Sequence, residues 1–482
     1  MTDETQTTGI IQAPVASTPD GLQEILHKVI IAHQQALKLL QETETAYSRL
    51  VPHQLLNLLK VKSIVDVKLG DQVERKMSIM FSDIRDFTPL SESMTPAENF
   101  EFINSYLSQM EPVIGKHHGI IDKFIGDAIL ALFAQDADDA VSGAIAMLER
   151  LNYYNAGRIR AGYTPIQIGI GLNTGMVMIG TVGGTNRMDS TVIGDAVNLT
   201  ARLQEATKTY HAPLIVSQNI LYDLATPDKY HIRFLDRIRV KGKSQPLSIY
   251  EVFDNDPAEL RSSKLACQPL FDEAIAFYHL KEIPPAIELL KKCVEIAPND
   301  IPALMYLERC YEFQATGQHW STGELDIGLT WKDEYLTGLE PLDIAHRNLL
   351  DQINSFTNQI KLGNTNNFRE IFAFLTAHTQ EIFQLEEKLM HDSKYPFTES
   401  HTQEHASFIR HFQELERKVL IGIDDPRYLS FRTALLLLDW FSSHATKGDR
   451  HLTRFLQNPV GTRSGKYQVP PHAASFTGIS QL

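Results

Sequence analysis

A carboxylate at the end of an apolar strand sets the first constraint on this chain. In MSIMFSDIRDFTPL, residues 77–90, Met77, Ile79, Met80 and Phe81 read as a buried strand, and Asp83 follows directly. A desolvated carboxylate is costly unless positive charge meets it, so Asp83 needs a cationic partner. A second carboxylate is placed in the same way. Ile120–Phe124 and Ala128–Phe133 flank Gly126-Asp127, which reads as a tight β-hairpin with Asp127 at its tip. Where the two strands neighbour each other, the carboxylates repel unless a divalent cation bridges them. Hard cations such as magnesium favour few carboxylates, with phosphate oxygens completing the shell.

The chain of 482 residues is too long for one core and divides by pattern. Residues 1–20 read as a disordered tail and 21–70 as an N-terminal helix with a coupling segment. There Leu22, Ile25, Val29, Ala32, Ala36 and Leu39 fall at near-heptad spacing. That pattern suits either a short coiled-coil seam or a helix packed on its own domain. Residues 71–255 alternate strands and helices, an α/β domain with a mixed or antiparallel sheet. Within it, IQIGIGLNTG and MVMIGTVGG read as two strands parted by a glycine turn, and GDAVNLTARLQEATKTY as a helix capped near Asp195. Asp86 reads as local polar structure. Residues 256–320 are helical, and Ala276, Tyr278, Ala286, Leu290 and Pro298 give them a tetratricopeptide likeness. One such repeat cannot bury its own face, so a linker hairpin is expected. Four amphipathic segments, at about 340–360, 367–391, 399–420 and 428–446, predict an antiparallel four-helix bundle over 325–455. The tail 458–482, rich in Gly, Pro and Ser, is expected to be flexible.

Net charge is −14, which argues against a nucleic-acid binder or an anionic-membrane binder. No apolar run approaches membrane-spanning length, and the N-terminus lacks the order of a signal peptide. Cys267, Cys293 and Cys310 show neither paired metal-ligand spacing nor a disulfide framework. A cytoplasmic protein with reduced thiols is expected.

Other residues extend the first constellation. Asn198 and Arg202 lie four apart and share a helical face, a pairing suited to a sugar-phosphate. Lys123 precedes Asp127, Thr191 precedes the Asn198 helix, and Lys241 and Lys243 add positive charge beside a glycine. Together FSDIRDFT, DKFIGDAILALF, TVIGDAVNLTAR and VKGK, over about residues 70–253, resemble the catalytic domain of class III nucleotide cyclases. The preceding SRLVPHQLLNLLKVKSIVDVKLGDQ resembles the coupling segment of bacterial members. The resemblance implies an α+β ferredoxin-like fold. It implies that Asp83 and Asp127 hold two magnesium or manganese ions, one acting on the ribose 3′-hydroxyl and one on the triphosphate. Arg202 would stabilise the transferring phosphoryl group, Asn198 orient the ribose, Lys241 meet the terminal phosphates, and Lys123 and Thr191 read the base. It also implies a homodimer whose two sites each combine residues of both subunits. A lysine only donates and adenine N1 only accepts, so Lys123 with Thr191 points to ATP; a guanylate cyclase is the alternative.

The bundle carries a second constellation. His401 and His405 share a face, and Glu386, His346, His444 and Asp449 come from the other segments. Nitrogen and carboxylate ligands inside a bundle suit iron, manganese or zinc. WKDEYLTGLEPLDIAH, FQLEEKLM, YPFTESHTQEHASF and WFSSHATKGD resemble the hemerythrin family. The resemblance implies a non-haem di-iron centre that takes up O2 or responds to redox state. His401, His405 and His444 would hold one iron, Glu386 and Asp449 would bridge, and His346 would hold the second. The remaining ligand position is occupied by Ile382, which cannot bind a metal. His378, one turn earlier, is expected to pack or face solvent. The combined expectation is a homodimeric adenylate cyclase with a helical linker and a hemerythrin-like sensor. The alternative is an oxygen- or iron-binding bundle for which the cyclase domain is mainly a scaffold.

Overall fold

The computed structural model describes residues 19–48, 57–61, 63–184, 187–239, 246–317, 330–361, 368–421 and 425–457. The expected tails before Pro19 and after Gln457 lie outside these, as do Lys241 and Lys243. The described residues up to Asp71, with those of 181–190, form one compact unit, and the described residues of 72–180 and from Thr191 on form the other. In the first, helix α1 (Pro19–Ser48) leaves Leu26, Val29, Ile30, Leu37, Leu39 and Leu40 exposed. The face expected to be a seam or to pack on its own domain is thus uncovered in the described residues.

The second unit is organised by strand β1 (Gln72–Ile84), which is paired along both edges. Helix α2 (Phe87–Glu92) follows it from Asp86, whose φ of 55° makes it a turn residue. Helix α3 (Pro96–Lys116) starts from a reciprocal cap between Thr95 and Glu98. Strands β2 (Gly119–Ile125) and β3 (Ala128–Phe133) make the predicted hairpin, and β3 pairs antiparallel with β1, Phe81 opposite Leu130. Helix α4 (Ala137–Arg160) is capped by Asp136 and leads to β4 (Ile168–Gly184). The spatial order β2-β3-β1-β4 with these two crossover helices is the ferredoxin-like arrangement. Tyr106, Met110 and Ile114 of α3 and Val141, Ala144 and Met147 of α4 are buried in one core with Met80, Ile84, Ile129 and Ile170 of the sheet.

The expected turn inside β4 is absent. The strand runs unbroken opposite β1, from Ile168↔Ile84 through Gly175↔Met77 to Gly180↔Gln72. Its glycines serve close approach instead. Helix α5 (Asp195–Tyr210) lies so near that a Cβ on Gly171 would sit 2.4 Å from the Gln204 amide nitrogen. One on Gly175 would sit 2.9 Å from Ala196 Cβ. Buried Asn173 donates to the Ala196 carbonyl at 3.2 Å and fixes the start of the helix. Gly194 is the cap and Asp195 the first helical residue, a shift of one from the expected position. Strand β5 (Arg187–Ile193) pairs with β4. Strand β6 (Leu214–Ser217) runs parallel to β4, and the short helix α6 (Gln218–Asp223) follows. Strands β7 (Ile232–Arg239) and β8 (Pro246–Val252) complete a mixed sheet with β7 at the edge.

Helices α7 (Ala258–His279), α8 (Ile283–Ile296) and α9 (Ile301–Thr316) replace the expected hairpin with three helices. They are no detached linker, because Tyr278, Leu290 and Tyr306 share the core of the α/β domain. Buried charge ties them to the sheet. Arg233 of β7 donates two hydrogen bonds to Asp300, at 2.6 and 2.7 Å, and one to Glu251 of β8 at 2.6 Å. Lys264 of α7 closes the group on Glu251 at 2.8 Å.

The predicted bundle is formed by α10 (Glu340–Lys361), α11 (Phe368–Ser393), α12 (Thr398–Ile421) and α13 (Pro426–Ser443). A π-helical turn, His444–Gly448, then leads into α14 (Asp449–Gln457). Arg237 of β7 and Asp439 of α13, both fully buried, form an ion pair at 3.1 Å. Phe431 stands edge-on to Phe234 beside it. Removing one partner strands a buried charge, so Arg237→Met is expected to lower unfolding stability by about 3–5 kcal/mol. The double variant Arg237→Met/Asp439→Leu recovers most of that loss in urea titrations, because neither charge is then left alone.

Candidate active site and metal centre

Pairing of β1 with β3 brings the strand-end carboxylate to the hairpin tip. Gly126, at φ +65°, turns the hairpin in the left-handed region. Asp127 follows it and accepts a hydrogen bond from the Ile84 amide at 3.1 Å. Its carboxyl is pushed up to about 7, first by burial and then by its hydrogen bond to Asp83 and that residue's charge. Two carboxyls held this close, one raised by the charge of the other, favour the charge of a divalent cation between them.

Lys123 of β2 and Thr191 of β5 also meet, with Nζ donating to Oγ1 at 3.1 Å. Asp122 Oδ2 lies 3.5 Å from the same ammonium. Among the described residues no hydrogen bond or ion pair links Lys123 and Thr191 to Asp83 and Asp127. Asn198, exposed, and Arg202, half-buried, stand one turn apart on α5. Arg85, between the two aspartates of FSDIRD, donates to the Thr207 carbonyl at 2.8 Å, so it clamps the end of α5.

In the bundle six side chains converge from α10, α11, α12, the π-helical turn and α14. Glu386 Oε2 lies 3.2 Å from His401 Nε2, 2.9 Å from His405 Nε2 and 3.2 Å from His444 Nε2. Its other oxygen faces His346 Nε2 at 3.8 Å. Asp449 repeats the pattern, with Oδ1 3.4 Å from His401 and 3.2 Å from His444 and Oδ2 3.0 Å from His346. Each carboxylate therefore spans two positions, one facing His401 and His444, which Glu386 shares with His405, and one facing His346. All six are buried, and Asp449 Oδ1 and Oδ2, Glu386 Oε1 and His346 Nε2 have no hydrogen-bond partner of proper geometry. Lone pairs that converge in this way fit a cation. Burial opposes charge on His346 and His401, but the adjacent carboxylates of Asp449 and Glu386 outweigh it and raise both to about 9.

The comparisons with known proteins agree with both geometries. Residues 70–252 match the family described as adenylate and guanylate cyclase catalytic domain, and residues 337–456 match hemerythrin HHE cation binding domain. The chain combines a class III cyclase catalytic domain with a hemerythrin domain. An adenylate cyclase of Anabaena cylindrica is 38% identical over 238 residues, 48% of this chain and 47% of that one. The terminal-differentiation specific adenylate cyclase of Dictyostelium discoideum is 36% identical over 285 residues, 58% of this chain and 13% of that one. The chain thus spans less than half the length of these relatives. Among solved structures, the adenylyl cyclase CyaB from P. aeruginosa is 35% identical, covering 38% of this chain and 96% of its own, with a TM-score of 0.36.

Ile382, where the resemblance implies a further ligand, is buried on the Glu386 face of α11, and His346, Glu386 and Asp449 form the second group. His378 does not join it; its ring stacks on Phe374 and its Nδ1 lies 3.9 Å from Glu381. Several residues of the site escaped the sequence reading. Phe383 stacks on His405 with ring centres 3.9 Å apart, and Glu387 holds His405 Nδ1 at 3.0 Å. The signal for Glu387 was its place beside Glu386 in LEEKLM. Gly448 was missed because its role is negative. A Cβ there would lie 3.2 Å from His444 Nδ1 and 3.3 Å from His401 Cε1.

A cation entering the bundle must expel the protons that His346 and His401 hold up to about 9. Apparent affinity for iron(II) or zinc is expected to fall by roughly tenfold or more per pH unit from 8 to 6. Competition titration with a chromophoric chelator, with proton release followed in weak buffer, checks both the slope and its cause.

Proposed function

We propose that the chain is a homodimeric adenylate cyclase that converts ATP to 3′,5′-cyclic AMP and pyrophosphate. The observation that carries this reading is the Asp83–Asp127 carboxylate pair at the junction of β1 and the hairpin. Two magnesium or manganese ions on that pair supply the charge that makes the ribose 3′-hydroxyl acidic and offsets the triphosphate. The chain's own residues position the nucleotide for in-line attack of the 3′-oxygen on the α-phosphorus. Arg202 directs its guanidinium to charge developing on the transferring phosphoryl group, and Asn198 orients the ribose. Lys241 meets the terminal phosphates.

Adenine is favoured by the contact between Lys123 and Thr191. An ammonium donates to adenine N1, and a threonine oxygen accepts from the adenine amino group. Guanine presents a donor at N1, which an ammonium cannot accept. Among the described residues no hydrogen bond or ion pair joins the Asp83–Asp127 pair to Lys123 and Thr191, and a site completed by the second subunit is proposed. The exposed stripe on α1 offers that dimer a further seam.

The hemerythrin domain is read as a sensor, with non-haem iron held by His346, Glu386, His401, His405, His444 and Asp449, and with O2 or redox state as its input. The three cysteines, all free and buried, fit a reducing cytoplasm.

Cyclic AMP formation from ATP and manganese tests the reading, on iron-loaded reduced protein before and after oxygen is admitted. A marked preference for ATP over GTP is expected, and Lys123→Glu is expected to lower ATP turnover at least tenfold. Asp83→Asn and Asn198→Ala are each expected to be inactive alone. Mixed and re-equilibrated one to one, they should regain roughly a quarter of wild-type activity, since half the dimers then hold one intact composite site. No recovery on mixing rules out composite sites, and preference for GTP rules out the adenine reading.

A further inference from the structure

The metal ligand His444 has a second partner on the far side of its ring. Nε2 faces Glu386 and Asp449, while Nδ1, buried and without a hydrogen bond of proper geometry, lies at an ion-pair distance of 3.5 Å from Glu404 Oε2. The other oxygen of Glu404 lies 3.0 Å from Lys76 Nζ, and Lys76 also holds Asp223 at 2.8 Å. Lys76 belongs to β1, the strand that ends at Asp83. Both Lys76 and Glu404 are half-buried, and their attraction outweighs the burial that opposes charge on each of them.

A parallel connection lies beside it. His451 bonds the Tyr395 hydroxyl at 2.5 Å and Glu74 at 3.0 Å. Tyr395 stands edge-on to the ligand His401. Glu74 and Lys76 are two apart and present one face of β1. Between these bridges lies a cavity of about 100 Å³, bordered by Lys76, Glu404, Tyr395, His401, His444 and His451. The face of the hemerythrin domain that borders this cavity thus meets the strand that carries a metal aspartate of the cyclase.

We propose that Glu404 positions His444 for its metal and that the Glu404–Lys76 pair reports the state of the metal centre to β1. This rests on the cyclase reading above. A metal on Nε2 makes Nδ1–H a stronger donor and draws on the Glu404 carboxylate. That carboxylate is shared with Lys76, so its hold on β1 changes with the state of the metal. Lys76 is paired to Met176 of β4, and from Ser78 to Ser82 β1 is paired on both edges, so a shift at Lys76 is carried along the strand toward Asp83 rather than absorbed in a loop. Both residues are positioning residues, since neither touches nucleotide or metal.

The test uses the full chain, iron-free and loaded anaerobically with iron(II), in wild type, Lys76→Met, Lys76→Arg, Glu404→Gln and Glu404→Asp. Three quantities are read: iron per chain with its absorption spectrum, deuterium exchange of the β1 amides, and the rate of cyclic AMP formation. In wild type, iron changes both β1 exchange and rate. Lys76→Met keeps wild-type iron content, spectrum and iron-free rate, but its ratio of loaded to free rate collapses to about one. Lys76→Arg retains the response. Glu404→Gln weakens iron binding by roughly tenfold to a hundredfold and shifts the spectrum, and Glu404→Asp recovers part of it. The proposal is overturned if Lys76→Met still follows iron, if iron leaves wild-type β1 exchange unaltered, or if Glu404→Gln binds iron as wild type does. A wild type that forms no product from ATP or GTP fails the cyclase reading instead, and β1 exchange still decides this one.

Discussion

Strand β7 places two arginines, Arg233 and Arg237, where no water reaches them. Much of the molecule is arranged to meet that demand. Arg233 is met by Glu251 within the sheet and by Asp300 at the head of α9, while Arg237 is met by Asp439 in the middle of a bundle helix. An edge strand would ordinarily present its side to solvent. Here its charges can be satisfied only if the helical region and the bundle close over it, since an unpaired buried charge is far costlier than the ordering needed to pair it. Three stretches of sequence with separate patterns therefore share one compact unit.

Local chemistry made much of this legible in the sequence. The hairpin around Gly126-Asp127, the strand ending at Asp83 and the i,i+4 pair His401 and His405 are all short-range signals, and the structure forms each of them. What stayed hidden depends on distant partners. The glycines of β4 looked like a turn because a glycine that permits a turn and one that permits a helix to approach are written alike; α5 decides between them. The helices of 256–320 read as a linker because their partner surface, β7 and β8, is remote in sequence. IRFLDRIR, likewise, looks like a charged edge strand until Asp439 and Asp300 are brought to it.

The two sites share one physical logic. In each, carboxylates are set closer than they would rest in water, and neighbours hold them there: the Ile84 amide at Asp127, and four imidazoles at Glu386 and Asp449. Asp127 of the cyclase pair is raised while the bundle carboxylates sit well below their usual range, because the histidines supply in one place the positive charge that is lacking in the other. Ile382 adds asymmetry, with an apolar wall where a ligand would make the two metal positions alike.

The π-helical turn at His444–Gly448 works as a phase adjustment. The Asp449 amide bonds back to the His444 carbonyl across five residues. In a regular helix five steps of about 100° would set those two side chains about 140° apart. The added residue lets both look into the same centre, and it also resets the rotation of all that follows. Leu452 and Leu456 are thereby turned onto Leu389 and Met390 of α11, and His451 onto Glu74 of the sheet. Winding this turn as regular helix, with no residue removed, would swing Asp449 out of the centre together with the face that α14 turns to its neighbours.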